Sequence, residues 1–259
     1  MRIGRINKFG DEHFEQTKKE GLSFIEVCCN NREDSEKFIA DVEAVKARIA
    51  AYGIDIPCVG RWYHTLMHDG KIDEAEAEVY FRLMDAAIEV GAKTFVCGCN
   101  YDESISLYQN YTHAITFFRR LLEHADGRIR VAVENCDWNN FVISPEQWKI
   151  ILGELPGLMI KFDASHAYKR HEDYLGQLSD WGRRVAHVHL KGVVLAGTGY
   201  VDDPPAGMDD LNWGAIFAIL YSRGYNGDLS IEPHSAVWNG ERGEFGIAFT
   251  KHFAEQFLR

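Results

Sequence analysis

The chain alternates short apolar, β-branched runs with longer helical patterns along its whole length. The eight strand candidates lie at residues 2–6, 22–28, 54–60, 93–97, 129–134, 158–163, 185–191 and 228–232. Such alternation is typical of βα units and a parallel sheet. Eight units in 259 residues predict a single (β/α)8 TIM-barrel domain over residues 1–259, with an open doubly wound sheet as the alternative. No Gly-x-Gly-x-x-Gly turn follows the first strand, which disfavours a dinucleotide-binding fold.

Several helices carry their own start and stop signals. An apolar face after Ser35, closed by Gly53, predicts one long helix between them. Ser144, Pro145 and Gln147 combine an N-cap, a proline at the first helical position and a capping-box partner. The connection at residues 193–209 is too long for an ordinary βα loop, and we expect it to act as a lid or substrate loop.

Charge and hydropathy exclude several classes of partner. The formal net charge of −11 argues against nucleic acid, whose binding depends on phosphate neutralisation by Lys and Arg. No apolar run approaches the roughly 18 residues that a membrane span needs, and the N-terminus lacks a signal-peptide core. We therefore expect a cytoplasmic protein without membrane contact. The six cysteines fall in or just after apolar runs, which favours buried, reduced thiols.

The last four predicted strands each carry a potential metal ligand at the C-terminal end. These residues are Glu134, Asp163, His189 and Glu232. In a barrel the C-terminal strand ends converge on one mouth, where active sites lie. Three carboxylates placed together require a cation or strongly raised pKa values. This mixed oxygen and nitrogen set suits one divalent ion, namely Mn²⁺, Mg²⁺, Co²⁺ or Zn²⁺.

The period-2 alternation of a strand predicts which neighbours point into the barrel with these ligands. His187, behind His189, is expected to be a hydrogen-bonded residue of the inner layer. Lys191, ahead of His189 on the same face, is expected to hold a substrate oxygen. Lys161, behind Asp163, would be a buried cation beneath the site unless the strand bulges there.

These motifs resemble the sugar (phosphate) isomerase/epimerase branch of the xylose isomerase-like TIM-barrel superfamily, the AP endonuclease family 2 fold. The resemblance rests on Glu134, Asp163-x-x-His166, His189-Leu-Lys191 and Glu232-Pro-His234. It implies that Glu134, Asp163, His189 and Glu232 bind one divalent metal ion, with Mn²⁺ favoured. It also implies that His166 contacts a carbohydrate substrate beside the metal. A homodimer or homotetramer is common in the family. Gly192 stands where the family often has an aspartate, so a role for that acidic group is not carried over.

The expected reaction is proton abstraction from a ketose or related polyol through a metal-stabilised enediolate. Glu134 and Glu232 are the candidate base and acid. Besides His166 and Lys191, the substrate pocket is predicted to draw on Glu26, Arg61, Trp62, His64 and Trp138. Aromatic rings stack on the apolar faces of sugars, while polar groups hold the hydroxyls. Apart from the ambiguous stretch 196–199, no glycine-rich anion cradle follows the last two strands, so a phosphate group is not predicted.

Three other functions stay open from the sequence. Elimination from the same intermediate would make the protein a lyase or dehydratase acting on a keto-inositol or keto-glycoside. The chain could also be one subunit of a glycoside-cleaving complex. An endonuclease IV-like DNA repair enzyme would use additional histidines, but the fourth strand ends in Cys97-Gly98-Cys99 without one.

Overall fold

Eight parallel strands close into a barrel, which confirms the predicted (β/α)8 TIM-barrel fold. The computed structural model describes residues 1–197 and 199–259. In chain order the strands are β1 (Arg2–Ile6), β2 (Phe24–Cys29), β3 (Asp55–Arg61), β4 (Met67–His68), β5 (Lys71–Ile72), β6 (Thr94–Cys97), β7 (Arg130–Glu134), β8 (Met159–Phe162), β9 (Val185–Leu190), β10 (Val194–Ala196), β11 (Gly199–Asp202) and β12 (Asp228–Ile231). The barrel order is β1-β12-β9-β8-β7-β6-β3-β2, and β1 pairs with β2 to close it.

Helices connect the barrel strands and cover their outer faces. They are α1 (Asp11–Lys19), α2 (Arg32–Ala40), α3 (Val42–Tyr52), α4 (Glu74–Glu89), α5 (Leu107–Ala125), α6 (Pro145–Glu154), α7 (Ala164–Lys169), α8 (Tyr174–Trp181), α9 (Trp213–Ser222) and α10 (Gly240–Glu255). The main apolar core lies between these helices and the barrel, and a smaller cluster contains Cys58, Trp62, Val96, Ala132 and Ala186. The described part of the chain contains no helix with the length and apolar character of a membrane span.

The helix signals in the sequence are partly confirmed. The capping box of Ser144 and Gln147 is present at the start of α6. The helix expected between Ser35 and Gly53 is instead two helices: α2 begins after an Asn31 cap and ends at Ala40, and α3 begins at Val42. Asn31 accepts a hydrogen bond from the Asp34 backbone amide, an alternative cap that lies four residues before Ser35.

The long connection after β9 folds into an antiparallel hairpin, β10 and β11. The strands of this hairpin are largely exposed, in contrast to the buried β9. Thr198, which belongs to the predicted lid and to the glycine-rich stretch 196–199, lies outside the described residues. The lid role of this segment stays a prediction.

A pair of glycine substitutions tests the packing inside the barrel. A Cβ at Gly4 in β1 would overlap the ring and the carbonyl oxygen of Phe24 on β2, whereas a Cβ at Gly153 in α6 meets no atom within 4 Å. We expect Gly4→Ala to lower the free energy of unfolding by about 1–3 kcal/mol, because the interior must shift. Gly153→Ala should raise it by up to about 1 kcal/mol through helix propensity. Urea denaturation measures the free energy of unfolding of the wild type and both variants. Equal changes in the two variants would contradict the prediction.

Candidate active site

Four neighbouring strands bring the predicted ligand residues to the same end of the barrel. Glu134 is the last residue of β7, and His189 is the penultimate residue of β9. Asp163 and Glu232 directly follow β8 and β12. Because β7, β8, β9 and β12 are consecutive in the barrel order, their C-terminal ends form one wall of the mouth.

Asp163, His189 and Glu232 form a close cluster. Each offers a ligand atom, and these atoms lie within 4.8 Å of one another. His189 Nδ1 lies 2.9 Å from Glu232 Oε2 and 3.8 Å from Asp163 Oδ2. The other oxygen of Asp163, Oδ1, accepts hydrogen bonds from the backbone amide and hydroxyl of Ser165 at 2.9 and 2.7 Å. Ser165 therefore holds the carboxylate with Oδ2 directed toward the cluster.

Glu134 faces the same cavity as the cluster, but its carboxyl group lacks the hydrogen bonds that hold the other ligands. Its side chain is fully buried, and neither carboxylate oxygen has a hydrogen-bond partner among residues 1–197 and 199–259. Burial raises the pKa of Glu134 to about 8, although Lys161 and His189 favour its ionised form. A buried carboxyl group with two unused acceptor oxygens is suited to bind a cation or to exchange a proton.

Lys191 joins the cluster through all three of its ammonium donors. Lys191 Nζ lies 2.9 Å from Asp163 Oδ2, 2.9 Å from Glu232 Oε2 and 3.0 Å from His166 Nε2. Burial, together with the Lys191 charge, holds the pKa of His166 well below its usual range, so Nε2 is free to accept this bond. Against the effect of burial, Lys191 lowers the pKa of both Asp163 and Glu232. The two carboxylates are therefore ionised at neutral pH.

A second layer of hydrogen bonds orients His189 from below. Both carboxylate oxygens of Glu26 lie 3.1 Å from His189 Nε2, and Glu26 Oε2 also lies 2.8 Å from His187 Nε2. A carboxylate can only accept, so Nε2 of His189 donates to Glu26 and Nδ1 donates to Glu232. These two carboxylates raise the pKa of His189 against the effect of burial, and loss of the Nδ1 proton would leave that nitrogen free for a cation. His187 also contacts Ser230 Oγ at 2.8 Å, which places it in the inner layer, as its position behind His189 predicted.

The cavity above these groups has a volume of about 190 Å³. Of the predicted pocket residues, Trp62, Trp138, His166 and Lys191 line it, as do Glu134, His189 and Glu232. Trp138 is 44% exposed at the rim, and its ring centroid lies 5.3 Å from that of His234. The mouth thus combines carboxylates and imidazoles with two indole faces, a combination suited to a small polyol.

Three residues that the sequence assigned to the substrate pocket lie elsewhere. Glu26 is fully buried below His189. Arg61 points toward the helices, because consecutive side chains along a strand point to opposite faces and the next residue, Trp62, points into the barrel. Its guanidinium group pairs with Glu76 of α4. His64 lies beside the same pair, with Nε2 3.2 Å from the Cys29 carbonyl oxygen. Glu26, Arg61 and His64 therefore do not line the cavity described above.

One residue at the site, Asn135, was overlooked in the sequence. Asn135 donates to the Asp163 carbonyl oxygen and accepts from the Asp163 amide, both at 2.8 Å, which ties the end of β7 to that of β8. Its position directly after Glu134 was the available signal. Lys161, which the sequence predicted as a buried cation beneath the site unless the strand bulges, is buried and lines the cavity, although the β8–β9 register shifts between Ile160 and Lys161.

Comparison with known proteins agrees with this architecture. A family model described as xylose isomerase-like TIM barrel matches residues 14–251. The structure is similar to that of 3-keto-D-glucoside 4-epimerase from E. coli, with a TM-score of 0.78, 19% identity and coverage of 97% of this chain and 99% of that chain. It is also similar to D-psicose 3-epimerase from Clostridium cellulolyticum H10, with a TM-score of 0.78, 13% identity and full coverage of both chains. It is similar as well to D-allulose 3-epimerase from Methylomonas sp., with a TM-score of 0.78, 16% identity and coverage of 100% of this chain and 98% of that chain. No curated protein sequence matches significantly.

The raised pKa of Glu134 predicts how the stability of the metal-free protein depends on pH. Between the ordinary pKa near 4.5 and the folded value of about 8, only the unfolded chain has released the proton. Stability is therefore lost as the pH rises through this range, by about 1.4 kcal/mol per pH unit. Urea denaturation in EDTA, from pH 5 to pH 8, measures the free energy of unfolding of the wild type and of Glu134→Gln. A stability difference between the two proteins that does not change with pH would contradict this assignment.

Proposed function

Because the chain belongs to the xylose isomerase-like TIM-barrel family, we propose that it is a divalent-metal-dependent sugar epimerase or isomerase. One observation carries the proposal. Asp163, His189 and Glu232 offer ligand atoms within 4.8 Å of one another, and the unpartnered Glu134 carboxyl lines the same cavity. The proteins of similar structure are named as epimerases of D-psicose, D-allulose and a 3-keto-D-glucoside, which supports a carbohydrate substrate.

The donor set fits a hard or borderline divalent cation. Both oxygens of Glu134 are buried without a hydrogen-bond partner in the described chain, and such oxygens gain most from a cation. Glu134, Asp163, His189 and Glu232 would hold the ion through oxygen and nitrogen, for which Mn²⁺ is our first choice, followed by Mg²⁺, Co²⁺ and Zn²⁺. When bound, the ion would polarise the substrate carbonyl and offset the negative charge that develops on its oxygen.

The two glutamates supply the proton chemistry. One carboxylate takes the proton from the carbon beside the carbonyl, and the electrons of that C–H bond move toward the carbonyl oxygen. The other carboxyl group returns a proton to the opposite face of the same carbon, which inverts its configuration. Glu134 ends β7 and Glu232 directly follows β12, with β8 and β9 between them in the barrel, so they can approach a bound sugar from different sides. Return of the proton to the neighbouring carbon would give isomerisation.

Trp62 and Trp138 complete the pocket on its apolar side. Both line the cavity, and Trp62 is almost completely buried whereas Trp138 forms part of the exposed rim. Their faces suit the C–H surfaces of a sugar, and His166 lies where a hydroxyl group beside the metal ligands would be. The predictions of a homodimer or homotetramer and of a cytoplasmic location remain untested.

Glu26 provides a test of the metal site that does not depend on turnover. Glu26→Gln replaces an obligate acceptor with an amide that can also donate, so His189 is no longer held with Nδ1 as the free nitrogen. We expect the affinity for Mn²⁺ to fall about 10- to 100-fold, the usual effect of losing a residue that orients a ligand. Calorimetric titration of EDTA-treated protein measures the affinity, with the exposed Glu123→Gln as control. Unchanged affinity in Glu26→Gln would show that His189 is not a ligand.

Solvent deuterium exchange tests the reaction. The Mn²⁺-loaded wild type should incorporate deuterium beside the carbonyl of a ketose or keto-sugar, and EDTA should abolish the exchange until Mn²⁺ is restored. Glu232→Gln should slow the exchange by about 100-fold or more, because a proton-transfer group is lost, whereas Glu123→Gln should exchange normally. NMR measures exchange with D-fructose, D-tagatose, D-psicose, a 3-keto-D-glucoside and a keto-inositol. Lack of exchange with every one of these sugars would refute the proposal, and the products distinguish epimerisation, isomerisation and elimination.

A further inference from the structure

Lys161 is a buried cation in the barrel that the chemistry proposed above does not use. It lies in β8, its residue is 2% exposed, and it lines the cavity beside Glu134, His189 and Glu232. In the sheet register it pairs directly with Glu134 of β7. Its side chain therefore points toward the proposed substrate, beneath the ring of carboxylates.

The ammonium group of Lys161 has no close anionic partner. Within the described chain, no carboxylate oxygen lies within 4.0 Å of Lys161 Nζ and no hydrogen-bond acceptor is in place. Lys161 Nζ lies over the face of Trp62, 5.7 Å from the ring centroid. A cation–π contact compensates only part of the cost of burying an ammonium group. The remaining donors face the cavity.

Lys191 is in the opposite situation. An ammonium group has three donors, and those of Lys191 face Asp163, Glu232 and His166 at 2.9, 2.9 and 3.0 Å. The sequence predicted that Lys191 would hold a substrate oxygen, but its donors are already used in ordering the carboxylates. Of the two lysines that line the cavity, Lys161 is the one with donors free for a ligand.

We propose that Lys161 is a catalytic residue, whose ammonium group binds the substrate oxygen that gains negative charge when the neighbouring proton leaves. This inference rests on the proposed function. The proton moves from carbon to a glutamate carboxylate, and the C–H electron pair moves toward the carbonyl oxygen. Lys161 donates a hydrogen bond to that oxygen and keeps its own proton. Such a donor acts most strongly where water is excluded, and the site around Lys161 is almost completely buried.

The alternative is that Lys161 only offsets the charge of Glu134, Asp163 and Glu232 from a distance. A residue with that role would affect metal content and stability, but not the affinity for a ligand in the metal-loaded protein. A direct binding measurement separates the two roles. Glycolohydroxamate is a suitable probe, because its chelating oxygens carry the negative charge that the substrate oxygen acquires.

The experiment compares the Mn²⁺-loaded wild type with Lys161→Met, Lys161→Arg and the exposed Lys149→Met. We expect Lys161→Met to keep its Mn²⁺, to bind glycolohydroxamate about 10- to 100-fold more weakly, and to exchange deuterium about 100-fold more slowly. Lys161→Arg should recover much of the binding, and Lys149→Met should match the wild type. Calorimetry measures binding, metal analysis the Mn²⁺ content, and NMR the exchange.

Two results would overturn the inference and leave the proposed function standing. One is that Lys161→Met binds glycolohydroxamate and exchanges deuterium as well as the wild type does. The other is a loss in Lys161→Met that is fully explained by lower Mn²⁺ content, which would make Lys161 a charge-balancing residue. A wild type that neither binds the hydroxamate nor exchanges deuterium with any sugar would instead refute the proposed function, and the role of Lys161 with it.

Discussion

Four carboxyl groups gathered at one end of the barrel, three of them fully buried and Glu232 half-buried, impose the constraint on which this site depends. Carboxylates in a medium of low dielectric repel one another and lose hydration, so each must be compensated or protonated. Glu26 is compensated by His187 and His189, and Asp163 and Glu232 share the ammonium group of Lys191. Glu134 has no such partner, and burial raises its pKa accordingly. The positions of the other polar side chains follow from this requirement.

The barrel topology satisfies the requirement because side chains from distant parts of the sequence meet at one level. Glu26 is separated from His189 by 163 residues along the chain, yet their side chains are in hydrogen-bond contact. The Asn135–Asp163 pair fixes the ends of β7 and β8 relative to each other. Asp163 and His189 are thus each held by a residue from another strand or its end, which is how a preorganised site is supported.

The parts of this structure that follow local rules could be predicted from sequence. Strand and helix alternation, together with polar residues at strand ends, identified the barrel and brought Asp163, His189 and Glu232 to one place. Parity alone could have placed Arg61 on the helical side of β3, opposite to Trp62. The depth of Glu26 and the use of all donors of Lys191 depend on side chains from several strands, so no local pattern reveals them. The break at Asp41, the residue between α2 and α3, likewise has no signal in the apolar pattern, which continues through it.

The separation of Glu134 and Lys161 is the feature that most favours a binding site over a purely structural network. They are register partners on adjacent strands and carry groups that could attract each other, yet no contact within 4.0 Å forms between them in the described structure. If these groups served stability alone, a direct pair would reduce the desolvation cost of both. Both instead line the same cavity. Two uncompensated groups of opposite character on one wall are arranged for a polar ligand that supplies the missing contacts.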